Sequence, residues 1–344
     1  MRTHTPRIFL ENELIEFTDA KLNSRGFNTA TELQFTISGK NISYRKYWNK
    51  EVTLFINPTD ATPIFRGRIV DNKIVDNIGM SFTALDGFGF LTGHQKATVS
   101  LDDYKNIDGL SPGGAISKLI SLANLTDVIG TDYIGDTNPI VQVIPQRGPV
   151  VILSVIKQIL KQVANTTKTV ARENYLRVFD DGEKTQLKFE VMADLDTAEP
   201  VKTYSYDNLI SFQVINRKIP TSITVQGKDN DRTQVTLRHQ SAAKSYGENF
   251  LTVSKKQLES RGECMDFAWK IFDINIQNQY EYKISSSEGI YLNEGDVIEI
   301  ISDDVDISGN FRVIGKKIDF SSNKFQLTLT INKSPPILAQ FLVS

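Results

Sequence analysis

Apolar and polar residues alternate with a period of two through the first and last thirds of this 344-residue chain, and the middle third breaks that pattern. A period of two places every second side chain on the same face of a pleated strand, so alternation over about four to eight residues commits a segment to a sheet with one face buried. Leu33, Phe35 and Ile37 fall on one side of such a strand, with Gln34 and Thr36 on the other. Val52, Leu54 and Ile56 repeat the arrangement before Asn57-Pro58-Thr59-Asp60 supplies a turn. Ile64–Val70 and Met80–Leu85 read as two further strands. Several short strands separated by turn signals predict a first β-barrel over 1–95.

The spacing turns helical in the segment 96–200. Ser111 followed by Pro112 is a helix start: the serine oxygen accepts an otherwise unpaired backbone N–H, and proline at the first helical position loses nothing. Ile116, Leu119, Ile120 and Ala123 follow on one face, and a second helix is predicted from about Val150 to Ala164 with a stripe of Ile152, Val155, Ile156, Ile159, Leu160 and Val163. Leu176–Phe179 and Leu187–Val191 flank Asp180-Asp181-Gly182-Glu183 as a β-hairpin. This segment is an α+β insert.

Alternation resumes over 201–333, a second β-barrel carrying a helix around 255–273. Ser254-Lys255-Lys256-Gln257 has the form of a capping box for that helix, and Leu258, Met265, Ala268, Trp269 and Phe272 give it an apolar face. The polar stretch from Lys228 to Asn249 reads as a flexible insertion with some strand pattern near Val235 and Leu237. Strands over 280–284, 296–300, 311–314 and 325–331 close the segment, with Ser321–Lys324 turning the last hairpin. A tail over 334–344 places Ile337, Leu338, Phe341, Leu342 and Val343 after Pro335-Pro336. The predicted fold class is mainly β with an α+β insert: two β-barrels and a small helix-containing domain. The two β segments are similar in length and pattern without aligning residue by residue.

Charge and cysteine content narrow the function. The net charge is −2 at a pI near 6.0, which offers no global basic field for nucleic acid or an anionic membrane. Cys264 is the single cysteine, so no internal disulfide framework exists and folding in a reducing cytoplasm is expected. The N-terminus has no signal-peptide core, and no apolar run approaches the ~20 residues that span a bilayer.

Catalytic motifs fail on inspection. Gly109-Leu110-Ser111-Pro112-Gly113 fits G-x-S-x-G, but a nucleophile elbow uses the N–H of the residue after the serine, and Pro112 has none. Gly87, Gly89 and Gly93 resemble a dinucleotide loop with the third glycine one position late; a strand end running into a loop, with Phe88 and Phe90 packed under the barrel, accounts for them. Asp304-Val305-Asp306-Ile307-Ser308-Gly309 opens like a calcium loop, yet its twelfth position is Gly315 rather than glutamate. Ser43–Lys46 and Ser321–Lys324 fit S-x-x-K without a K-T-G companion. His4, His94 and His239 stand apart, with no second ligand at metal spacing. No catalytic residue, metal ligand or cofactor is expected. The carboxylates Asp194, Asp196 and Glu199 are the weak exception, as candidates for glycan cleavage. Trp48 with Tyr44 and Tyr47, next to Arg45, Lys46 and Lys50, suits a β-barrel edge or partner interface, or else a sugar platform or nucleic-acid stack.

The order of these elements resembles a known family. Ile64-Phe65-Arg66-Gly67-Arg68-Ile69-Val70, then the segment from Met80 to Leu91, resembles the F-x-G-x-V … V-x-A-x-D … L signature of phage tail hub proteins. Leu292–Ile298, Gly309–Ile314, Asp319–Ser322 and Phe325–Leu329 resemble the closing strands of the late control protein D family of baseplate hubs, shared with type six secretion spike proteins. The resemblance covers nearly the whole chain in order of elements, and each motif is short.

The resemblance implies a non-enzymatic structural protein of the virion tail, assembled in the host cytoplasm. It implies a homotrimer whose six tail-tube-like barrels form a pseudo-hexameric ring. That ring adapts the six-fold tail tube to a three-fold spike or central fibre, next to other baseplate or tape-measure proteins. Trp48, Tyr44, Phe341 and Leu342 are its candidate contacts. A hexameric distal tail or adaptor protein and a glycan-binding or glycan-cleaving tail protein are the competing readings.

Overall fold

The computed structural model describes residues 4–24, 29–38, 44–75, 79–91, 98–100, 103, 105–134, 150–166, 174–191, 195–205, 208–209, 211–216, 219–229, 233–256, 258–277, 280–302, 307–321 and 324–333. The fold is mainly β, as the alternation requires. The first segment forms β1 (Arg7–Leu10), β2 (Glu13–Ile15), β3 (Asp19–Ser24), β4 (Thr31–Ser38), the short helix α1 (Tyr44–Tyr47), β5 (Glu51–Phe55), β6 (Phe65–Val75) and β7 (Gly79–Asp86). After the middle segment the chain forms β13 (Lys202–Tyr204), β14 (Ser211–Asn216), β18 (Tyr280–Ser286), β19 (Val297–Ile300), β20 (Gly309–Ser321) and β21 (Lys324–Asn332).

The two β segments have the same architecture. The first runs β3-β4-β7-β6-β5-β1 across its sheet, and the last runs β14-β18-β21-β20-β19-β13. Each strand of one series has its counterpart in the same chain order in the other. The long strand of each carries a register shift at the matching place, between Ile69 and Asp71 in β6 and between Val313 and Gly315 in β20. One pairing differs: β1 is antiparallel to β5, whereas β13 is parallel to β19. The two segments share length and pattern in sequence but do not align residue by residue, because strand pairing needs only alternation, which many residue choices satisfy.

The repeats are joined edge to edge. The far half of β20, Lys316–Ser321, pairs antiparallel with β3, so both repeats belong to one sheet. A single apolar core underlies them, from Ile8, Phe35 and Phe82 to Phe311, Leu329 and Ile331. Phe35 stacks on Phe82 at 5.4 Å, and Tyr282 meets Phe311 edge-on at 5.3 Å.

The middle segment has its own core. It comprises α2 (Gly87–Leu91), β8 (Thr98–Val99), α3 (Pro112–Leu122), β9 (Ile129–Tyr133), β10 (Val150–Val151), α4 (Ile152–Thr166), β11 (Asn174–Asp180) and β12 (Thr185–Val191). Ser111 caps α3 as expected, its Oγ accepting from the Gly114 N–H at 3.1 Å. The glycines after β7 depart from expectation: Gly87–Leu91 is a helical turn, and Phe88 and Phe90 bury in the middle core with Ile116, Ile156 and Leu187 rather than under the β-sheet.

A third body interrupts the second repeat between β14 and β18. β15 (Ser222–Gln226), β16 (Val235–Arg238), α5 (Gln240–Tyr246), β17 (Phe250–Ser254) and α6 (Arg261–Gln277) make a three-stranded sheet with a separate core of Ile223, Val225, Cys264, Ala268, Ile271 and Phe272. The polar stretch 228–249 thus contributes β16 and α5 to a packed unit. The capping box lies six residues beyond Ser254: Ser260 Oγ accepts from the Glu263 N–H, and the Glu263 carboxylate accepts from the Ser260 and Glu259 N–H groups. Ser254 instead ends β17. The buried stripe of α6 is Cys264, Ala268, Ile271 and Phe272, which leaves Met265 and Trp269 exposed.

Candidate assembly surface and the polar junction

Two open edges of the large sheet stand one in each of the two repeats. β14 pairs with β18 on one side and, among the described residues, with nothing on the other. β6 pairs with β5 through Phe65–Arg68, and beyond its bulge Asp71–Val75 pairs with β7 alone among the described residues. An apolar residue stands exposed on each edge: Ile74 on β6, at 75%, and Val214 on β14, at 44%. Sequence reading passed over both, because an exposed isoleucine inside a strand looks the same in sequence as a buried one.

The other expected contact residues fall into two groups. Trp48 follows α1 and is 53% exposed, while Tyr47 packs edge-on against Phe82 at 5.5 Å and carries Lys46 Nζ 5.4 Å from its ring centroid. The side chain of Tyr44, and Phe341 and Leu342 altogether, lie outside the described residues, as do Asp194, His94, Ser43 and Asp304–Asp306. Asp196 and Glu199 stand exposed on a loop that Asn310 Nδ2 ties to β20 by donating to the Leu195 and Ala198 carbonyls at 2.8 and 3.2 Å. His239 is a helix cap: its Nδ1 accepts from the Ala242 N–H at 3.1 Å. His4 lies against the ring of Phe325 at 4.5 Å. Among the described residues no three His, Cys, Asp or Glu side chains converge, and no helix is long and apolar enough to cross a membrane.

A cleft of about 300 Å³ opens where the β11–β12 hairpin meets both repeats, lined among others by Leu22, Phe65, Asp86, Val178, Tyr291 and Lys316. Two arginine–aspartate bridges cross this seam in opposite directions. Arg66 of β6 holds Asp180 of the hairpin at 2.5 Å and donates to the Gly182 carbonyl at 2.9 Å. Arg177 of the hairpin holds Asp296 of the second repeat at 3.4 Å. Each arginine also keeps a glutamate on its own side, Glu51 at 2.8 Å and Glu190 at 3.5 Å. Burial raises the Asp180 carboxyl above its ordinary range, against the opposing pull of Arg66.

Two charges beside the cleft are fully enclosed. Burial pushes the Asp86 carboxyl up to about 6, although it accepts from the Thr31 and Gly89 N–H groups at 2.9 and 3.2 Å. Burial pushes the Lys316 ammonium down to about 8; it donates to the Leu292 carbonyl at 2.7 Å and the Ile290 carbonyl at 3.3 Å, near Glu294 and Asp296. Arg66 and Arg177 pair with carboxylates across the seam, while Asp86 and Lys316 are held by backbone groups.

Three solved structures share this architecture. The tail protein from Neisseria meningitidis MC58 superposes with a TM-score of 0.65 at 12% identity, over 98% of each chain. The 43 kDa tail protein of prophage MuSo2 from Shewanella oneidensis gives 0.65 at 8% identity, over 98% of this chain and 99% of the other. The chain has the fold of phage tail proteins. An E. coli component of the type VI secretion system, described as similar to T4 bacteriophage tail proteins, matches at 0.54 and 11% identity over 96% of this chain and 77% of its own. No family model matches the sequence, and no curated protein matches it.

Within this tail-protein fold the residues of the hub-like signature have physical work. A Cβ on Gly67 would sit 2.2 Å from the Leu85 carbonyl oxygen and 2.6 Å from the ring of Phe65, so β6 and β7 approach only with glycine there. Ala84 is wholly buried, and Asp86 ties the start of α2 to β4 by its two accepted bonds.

Proposed function

We propose that the chain is a non-enzymatic hub of a phage tail baseplate. Three copies form a ring of six tube-like repeats that stacks on the six-fold tail tube and seats a three-fold spike or central fibre, among other baseplate or tape-measure proteins. Its place is the virion tail, after assembly in the host cytoplasm. The observation that carries this reading is the duplicated six-strand order: a chain with two like repeats turns a six-membered ring into a trimer. The fold it shares with solved tail proteins supports the same setting. The exposed Trp48, Tyr44 four residues before it in sequence, and Phe341 and Leu342 in the tail are the proposed contacts with tube or spike.

Light scattering on the purified chain, alone and with its tube protein, tests the proposal. A trimer that co-sediments with tube ends is expected. A hexamer would favour a distal adaptor, and a chain that stays monomeric with tube protein present would remove the basis for a ring.

A further inference from the structure

The junction inside the chain specifies the junction between chains. In the duplicated order β3 corresponds to β14 and β20 to β6, and β3 pairs with the far half of β20. The two corresponding elements, β14 and the far half of β6, are both open edges among the described residues. Matching the bulges equates Ile74 with Ile318, since Ile74 stands opposite Met80 on β7 and Ile318 opposite Leu327 on β21, each in the fourth pair past the bulge. Matching β4 with β18 equates Val214 with Leu22. Leu22 pairs with Leu33, which pairs with Ala84; Val214 pairs with Tyr282, which pairs with Ile331; and Ala84 and Ile331 occupy the same place before their bulges. Inside the chain Ile318 and Leu22 are register partners, 0% and 1% exposed. Their counterparts Ile74 and Val214 are exposed, each on one of these two edges.

We propose that β14 of one copy adds antiparallel to the far half of β6 of a second copy, with Val214 opposite Ile74. The neighbouring pairs are then Ile215 with Lys73 and Gln213 with Val75, which repeats the β3–β20 ladder from chain to chain. The occupant is a second copy of this chain because the same fold already supplies both halves of the joint. The contact is head-to-tail: each copy offers one edge and receives the other, so it closes into a ring or runs on as a filament. The number three rests on the trimer proposed above; the pairing itself does not.

Directly opposed residues of an antiparallel ladder have Cα atoms about 4.5–5.5 Å apart, within reach of a disulfide. The test is an Ile74→Cys, Val214→Cys double variant of the full chain, oxidised and run on a non-reducing gel. Covalent dimers and trimers that vanish on reduction are expected. An Ile74→Cys chain mixed with a Val214→Cys chain should stop at the covalent dimer. Pairing Ile74→Cys with Phe212→Cys, one like-facing step out of register, should cross-link at least tenfold less. Light scattering of the same samples separates the two ideas. A trimer that cross-links no better in register than out of register overturns the strand pairing and leaves the trimer standing, and a cross-linked ladder running past three overturns the trimer and leaves the pairing standing. Ile74→Asp and Val214→Asp, both at exposed positions, should each dissociate the assembly with the monomer still folded; an assembly indifferent to both overturns the pairing.

Discussion

Asp86 shows how one buried side chain sets a pH dependence. Its carboxyl titrates near 6 in the fold and near 3.8 when free, so the folded state holds the proton more tightly. The cost of enclosing the charge, on the order of 3 kcal/mol, is fully present above pH 6 and is relieved as pH falls toward 3.8. Asp86→Asn is neutral throughout. Measured by urea unfolding, the stability of the parent relative to this variant should rise by about 2 kcal/mol between pH 7.5 and pH 4.5. A difference independent of pH would mean that the carboxyl is not enclosed as described. Lys316 has the opposite sign: its depressed folded value of about 8 makes the chain gain stability as pH climbs through 8 toward 10.5.

At the scale of elements, the capping of α6 gives the plainest test. Ser260 and Glu263 satisfy three backbone N–H groups at its start. Ser260→Ala should lower stability by about 1 kcal/mol, whereas Ser254→Ala should leave the helix unchanged, as thermal melts followed by circular dichroism would report. Both serines precede a Glu or Gln by three residues, so the motif alone does not choose between them. The choice falls to β17, whose ladder with β15 claims Ser254. The phase of α6 was misread for a related reason: Trp269 and Met265 look like core, but the facing sheet meets the stripe led by Cys264 and Ala268. Elements fixed by local chemistry were legible, among them the Ser111 cap, the β11–β12 hairpin and the alternation of β4, β5 and β21. The open edges and the crossed bridges of Arg66 and Arg177 were not, because both are defined by partners more than a hundred residues away in sequence or on another molecule.

At the scale of the molecule, the third body is attached in a way that invites removal. β14 and β18 are antiparallel neighbours with Asn216 opposite Tyr280, so residues 217–279 leave and re-enter the sheet at one point. Replacing them with a two-residue Asn-Gly turn should join the strands as an ordinary hairpin. The shortened chain should keep its large sheet and both remaining cores, and size-exclusion elution and near-ultraviolet circular dichroism would show this. Collapse of the whole fold would mean that the third body is needed to form the sheet it hangs from.

The corresponding turn of the first repeat, between β3 and β4, spans only residues 25–30. Around the proposed ring, short and decorated hairpin tips therefore alternate. The inner wall follows a six-fold rhythm, while the ornament on its rim recurs at every second position. Fusing two repeats into one polypeptide lets a lineage decorate half of the positions and leave the others bare, a freedom that six identical single-repeat chains would lack.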